Sequence, residues 1–130
     1  MITGPDSHDT SVERLTPVVR RLLLWRHGET FYNAASRMQG QLDTDLSPRG
    51  QRQAAAAAAA LAQHDPLLIR SSDLRRAAET ADELGRLAGL TVSRDTRLRE
   101  THLGQWQGLT HVEVDERAPG ARRIWRDDAT

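Results

Sequence analysis

Polar residues dominate positions 1–16, with Gly4, Pro5 and several Ser, Thr and Asp, so residues 1–17 are expected to form a flexible N-terminal tail. The first apolar run comes next. Residues 18–25, VVRRLLLW, end in consecutive apolar positions, the pattern of a strand buried on both faces of a parallel sheet. Residues 26–45 hold no sustained period and contain Gly28, Asn33 and Gly40, which predicts a loop with at most one short helix. DLSPRG then marks a helix start, with Ser47 suited to the N-cap and Pro48 to the first turn, where a missing N–H costs nothing. The alanines at 54–60 continue that helix over 48–63, since alanine is the best helix former and its small side chain lets a helix lie close to a sheet. Asp65-Pro66 stops it.

PLLIRSS (66–72) is a short apolar run ending in serines and predicts a second buried strand. The next segment, 73–89, is helical in period, with Leu74, Ala77, Ala78, Ala81, Leu84 and Leu87 on one face and Gly89 placed to end it. LTVSRD (90–95) predicts a third strand. The order strand, loop, helix, strand, helix, strand predicts a parallel α/β sheet with right-handed crossovers. Ligands in such sheets bind outside the carboxyl ends of the strands. Three segments therefore open on one edge: Arg26-His27-Gly28, residues 71–76, and Arg99-Glu100. Beyond them a short helix is expected over 109–117, a break at Pro119-Gly120, and another helix from Ala121. Three strands are few for this architecture, which commonly has five or six.

Composition narrows the function. The length of 130 residues suits one domain, and 38% hydrophobic with 28% charged residues is the balance of a soluble, folded chain. The 18 basic residues, all arginine, equal the 18 acidic ones, and a net charge of zero argues against a nucleic-acid partner. Without cysteine there are no disulfides and no thiolate metal sites. No apolar run approaches the ~20 residues of a membrane span, and the first residues lack the apolar stretch of a signal peptide. The expectation is a cytoplasmic protein with no membrane partner.

The chemistry gathers at the common edge. A phosphomonoester carries nearly two negative charges, and arginine meets it with a bidentate fork. Histidine attacks phosphorus through one ring nitrogen when the other is held protonated by a backbone carbonyl. Arg26 and His27 supply both groups, and Gly28 lets the backbone approach. On its own, His27 reads as an ordinary surface histidine. Arg76 adds a cation just inside a helix start, itself a favourable place for anions, while Arg75 points about 100° away toward solvent. Glu100, with a raised pKa in a closed pocket, would protonate a leaving alkoxide; the competing reading pairs it with Arg97 or Arg99. Asn33 has an amide N–H to offer a phosphoryl oxygen, or is a turn residue. His102 and His111 lack metal-ligand spacing, His64 suits a helix C-terminus, and Trp106 and Trp125 suit packing, so no metal or cofactor is expected.

Four segments, LLLWRHGETFYN, LDTDLSPRGQRQA, SSDLRRAAETA and LRETHLGQWQGLT, together resemble the histidine phosphatase (phosphoglycerate mutase-like) superfamily over residues 22–110. The resemblance implies a three-layer α/β/α sandwich with a mostly parallel sheet, of which residues 18–130 would be the N-terminal part. It implies His27 as a phosphate-accepting nucleophile, Glu100 as acid and base, and Arg26, Asn33 and Arg76 as phosphate-binding residues. Gly28, Gln39 and Gly40 would form the substrate loop. The substrate class implied is a small phosphorylated sugar or acid, hydrolysed without metal through a phosphohistidine. The same residues would serve a phosphoglycerate mutase-type transfer, or an inactive remnant that only binds phospho-ligands. The family's second histidine, in a later His-Gly motif, has no counterpart here, so a C-terminally truncated chain with weak or no activity is expected. Oligomeric state is left open, a homo-oligomer included.

Overall fold

The structure, a computed structural model, describes residues 21–128. The tail expected over 1–17, and the first three residues of the first predicted strand, lie outside the described residues. The described chain is mostly helical with a small parallel sheet. In order it forms α1 (Phe31–Ala34), α2 (Pro48–Ala62), β1 (Arg70–Ser71), α3 (Arg75–Ala88), β2 (Ser93–Arg94), α4 (His111–Arg117) and α5 (Ala121–Asp128). Two 3-10 turns, Thr96–Leu98 and Gly104–Trp106, lie between β2 and α4.

The helices begin and end where their sequences say. Ser47 caps α2 by accepting a hydrogen bond from the Gly50 N–H at 3.1 Å, and Pro48 occupies the first turn. Gly89 ends α3 in the left-handed region at φ 67°, a conformation that costs glycine nothing. The helix over the alanine run packs along α3, with Ala54 and Ala58 fully buried where larger residues would hold the axes apart. The core gathers Ala58, Ile69, Ala81 and Leu84, with Trp25, Leu61 and Val92 packed around them. Such a core is small, which matches the modest length of the segment that builds it.

β1 and β2 are parallel, with Arg70 opposite Ser93 and Ser71 opposite Arg94. The ladder is held by Ser93 N–H to the Ile69 carbonyl at 3.0 Å and Asp95 N–H to the Ser71 carbonyl at 2.8 Å. The parallel direction is the one predicted. The extent of the sheet is not. Residues 22–25 form no strand, and their leucines are open: Leu22 is 74%, Leu23 44% and Leu24 89% exposed. The alternation of an extended chain survives in those numbers, with Trp25 on the side that meets the core. No described segment pairs with this stretch, so its outward face has nothing to bury against. The second strand is also shorter than PLLIRSS predicts, and Leu67 and Leu68 are exposed while Ile69 is buried. Leu87, placed on the apolar face of the third helix by period alone, is exposed near its end.

Downstream, α4 and α5 form as expected on either side of Pro119-Gly120. Trp106 and Trp125 meet edge to face, ring centroids 6.1 Å apart and planes at 80°, the packing role expected of them. Among the described residues no helix is long and apolar enough to cross a membrane.

Candidate functional site

Residues 26–30 run from the end of the extended segment into α1. His27 Nδ1 lies 2.7 Å from the Gly28 carbonyl oxygen. A carbonyl only accepts, so Nδ1 carries the proton and Nε2 keeps its lone pair. The Gly28 N–H donates to Thr80 Oγ1 at 3.0 Å, across to α3. Gly28 also touches Gly50 in the first turn of α2, and a Cβ on either glycine would strike backbone: the Gly50 carbonyl in one case, the Glu29 carbonyl in the other. Ser47 closes the same contact. Its N–H donates to the Glu29 carbonyl at 2.9 Å and its hydroxyl to Glu29 Oε1 at 2.8 Å.

Arg76 stands in the first turn of α3 and is 2% exposed. Its Nη1 donates to the Leu42 carbonyl and its Nη2 to the Gly40 carbonyl, both at 2.6 Å, and Nη1 reaches Thr44 Oγ1 at 3.4 Å. These acceptors are neutral. Burial pulls the guanidinium pKa down, with Glu100 and then Asp43 opposing, yet an arginine remains a cation throughout. The charge is therefore held inside the protein with no carboxylate among the described residues bonded to it. Arg75, one residue earlier, behaves as predicted: it is exposed and bound to Asp43 and Asp45.

The loop that Arg76 holds has its own buried polar chain. Thr30 Oγ1 donates to Gln39 Oε1 at 2.7 Å, and Thr44 Oγ1 donates to the same oxygen. Asn33 closes a capping box on α1: the Thr30 N–H donates to Asn33 Oδ1 at 3.0 Å, and the Asn33 N–H donates to Thr30 Oγ1 at 3.0 Å. The Asn33 amide oxygen is thus engaged, which turns its NH2 group away from Thr30. Asn33 and Gln39 are linked through one threonine, and Gln39 is linked to Arg76 through another.

Arg26, Arg76 and Glu100 all lie within electrostatic reach of His27. Burial lowers the histidine pKa below its ordinary 6.5, the Gly28 carbonyl opposes that, Arg76 and Arg26 reinforce it, and Glu100 opposes it. Glu100 is exposed, not enclosed as expected, because no described element covers that edge. Its Oε1 accepts the Thr101 N–H at 2.9 Å, and its carbonyl accepts from Gln41 Nε2 at 3.1 Å. The competing ion pairs do not form: Arg97 binds Asp95 and Arg99 binds Asp73.

The three predicted segments therefore converge. Sequence reasoning passed over Thr30, Thr44, Thr80 and Gly50, which hold the convergent groups in place. Thr80 has a signal in retrospect, since it sits one helical turn after Arg76. Thr30 also has one, three residues before Asn33 in the spacing of a helix cap. Gly50 has none, because the partner that forbids a side chain is distant in sequence.

Residues 22–130 match the model of the histidine phosphatase superfamily (branch 1). The chain is 69% identical over 111 residues to a glucosyl-3-phosphoglycerate phosphatase of Mycolicibacterium vanbaalenii, covering 85% of this chain and 49% of that protein. Among solved structures it resembles a mycobacterial glucosyl-3-phosphoglycerate phosphatase in complex with VO3, at 65% identity and a TM-score of 0.76, over 78% of this chain and 48% of the other. It also resembles a phosphoserine phosphatase from Entamoeba histolytica in complex with 3-phosphoglyceric acid, at 31% identity and a TM-score of 0.67, over 75% and 48%. The chain spans about half the length of these relatives. With a phosphoglycerate mutase-like fold and a family match over residues 22–130, it belongs to the histidine phosphatase superfamily, branch 1.

Proposed function

We propose that this chain carries the phosphate-accepting half of a phosphomonoester hydrolase acting on glucosyl-3-phosphoglycerate or a related small phosphorylated sugar acid. The observation that carries the reading is His27, with Nδ1 tied to the Gly28 carbonyl and the charges of Arg26 and Arg76 within reach. Nε2 attacks phosphorus in line, a nitrogen–phosphorus bond forms, and the ester oxygen–phosphorus bond breaks. Glu100 gives its proton to the departing alkoxide. It then takes a proton from water, whose oxygen bonds to phosphorus as the nitrogen–phosphorus bond breaks, releasing inorganic phosphate and returning His27 to neutral imidazole. Arg26, Asn33 and the Arg76 donors not spent on loop carbonyls hold the phosphoryl oxygens, where charge spreads in the transition state. These cations supply the positive charge, so the reaction requires no metal. Gly28, Gln39 and Gly40 line the approach.

The substrate choice rests on likeness to the M. vanbaalenii and mycobacterial enzymes and on ligands of the solved relatives. The three-layer sandwich belongs to the same proposal. Leu22, Leu24, Leu67 and Leu68, outside the two strands, are exposed, as expected of side chains that a further layer would cover. Residues 18–130 then form the N-terminal part of the domain. Release of inorganic phosphate from glucosyl-3-phosphoglycerate, abolished by His27→Ala, is the expected result. Release unaffected by that change overturns the assignment, and an isomerised phosphoglycerate in place of free phosphate makes the reaction a transfer.

A further inference from the structure

The Gly28 residue is held at three points. Its carbonyl accepts from His27 Nδ1, its α-carbon lies against Gly50, and its N–H donates to Thr80. Thr80 is 2% exposed and stands on α3 one turn beyond Arg76. Its hydroxyl has one proton, and that proton is committed to the Arg76 carbonyl at 2.7 Å. The lone pairs of Oγ1 are left to face the Gly28 N–H, so the donor and acceptor roles have no freedom to exchange. A single hydroxyl therefore joins the turn of helix that carries Arg76 to the glycine that orients His27.

We infer that Thr80 is a positioning residue: by holding the Gly28 N–H to α3 it sets the Nδ1–H tautomer and the aim of His27 relative to Arg76. The inference rests on the reading of His27 as nucleophile for its catalytic meaning, but the geometry it predicts stands apart from turnover. Without the Thr80 acceptor, the Gly28 N–H is a buried donor with no partner, and the loop turns to find water. The Gly28 carbonyl then leaves His27 Nδ1, and the ring relaxes to the Nε2–H form that free imidazole side chains favour. A residue that only fills space in the core would not change which ring nitrogen carries the proton.

The test is the tautomer of His27, read from its two ring 15N shifts at neutral pH in the full 130-residue chain. Thr80→Val keeps the size and removes the hydroxyl. It is expected to shift His27 from Nδ1–H to mostly Nε2–H, and Thr80→Ser is expected to keep the Nδ1–H form. A folded Thr80→Val chain with an unchanged Nδ1–H tautomer overturns the inference, as does a folded Thr80→Ser chain that loses it. If Thr80→Val does not fold, amide exchange of Gly28 in the unaltered chain decides. Protection well above that of a free peptide supports the contact, and exchange at the free-peptide rate overturns it. A chain that keeps this tautomer control but never forms phosphohistidine would refute the proposed reaction and leave Thr80's role standing.

Discussion

Arg76 Nη2 donates to the Gly40 carbonyl at 2.6 Å, so the buried guanidinium of α3 fixes the loop that runs from α1 to α2. Removing it affects more than charge. Arg76→Ala strips donors from the Gly40 and Leu42 carbonyls, each a buried or half-buried acceptor. The expected loss is about 1–3 kcal/mol of stability, measured by urea unfolding, together with loss of vanadate binding. A variant as stable as the parent would show that the loop is held by other means.

Gly50 lies in the first turn of α2, where replacing glycine by alanine ordinarily stabilises a helix by roughly 0.5–1 kcal/mol. Here the sign is expected to reverse, because an alanine Cβ strikes the Glu29 carbonyl. Gly50→Ala should destabilise by about 1–3 kcal/mol and perturb the His27 ring resonances. A stabilised Gly50→Ala chain contradicts the close approach of α2 to the histidine loop.

The pH dependence follows from His27. Its pKa is lowered in the folded chain, chiefly by burial, so the unfolded chain binds more protons at and below the unperturbed value of 6.5. The stabilisation from neutral, buried His27 is present above pH 6.5 and is lost as pH falls through 6.5 toward the folded value. An NMR titration should give a midpoint below 6.5 for the free chain, moving upward when a phosphate or vanadate dianion binds beside the ring. A midpoint above 6.5 without ligand contradicts the electrostatic description.

Leu24 tests the least expected part of the fold. A leucine in a doubly buried strand costs about 2–5 kcal/mol when cut to alanine. At 89% exposure, Leu24→Ala is expected to change stability by less than about 0.5 kcal/mol. A loss in the buried range would place residues 22–25 inside a sheet.

That contrast shows what was legible in the residues and what was not. Helix ends are local events. Ser47 with Pro48, and Gly89, carry their instructions within a few residues, and α2 and α3 begin and stop where expected. Strand extent is not local. Residues 22–25 have the composition of a buried strand, but burial needs neighbours on both faces, and among the described residues those are lacking. Leu67 and Leu68 are exposed for the same reason. In the candidate site, that Arg26, Arg76 and Glu100 lie within electrostatic reach of His27 was foreseeable, because each lies beside a segment whose course toward one edge was predicted. Thr80, Thr44 and Gly50 act through contacts 21 to 52 residues apart in sequence, and a buried threonine or glycine has no periodic signature. The enclosure of Glu100 failed as an expectation because a pocket wall is also made by neighbours.

The central claim is that His27 accepts the phosphoryl group. Rapid acid-free denaturation of the chain during incubation with 32P-labelled glucosyl-3-phosphoglycerate measures this most directly. The predicted result is covalent label that is stable in base and labile in acid, present in the unaltered chain and absent from His27→Ala. Label that survives in His27→Ala, or no covalent label in a chain that releases phosphate, would contradict it.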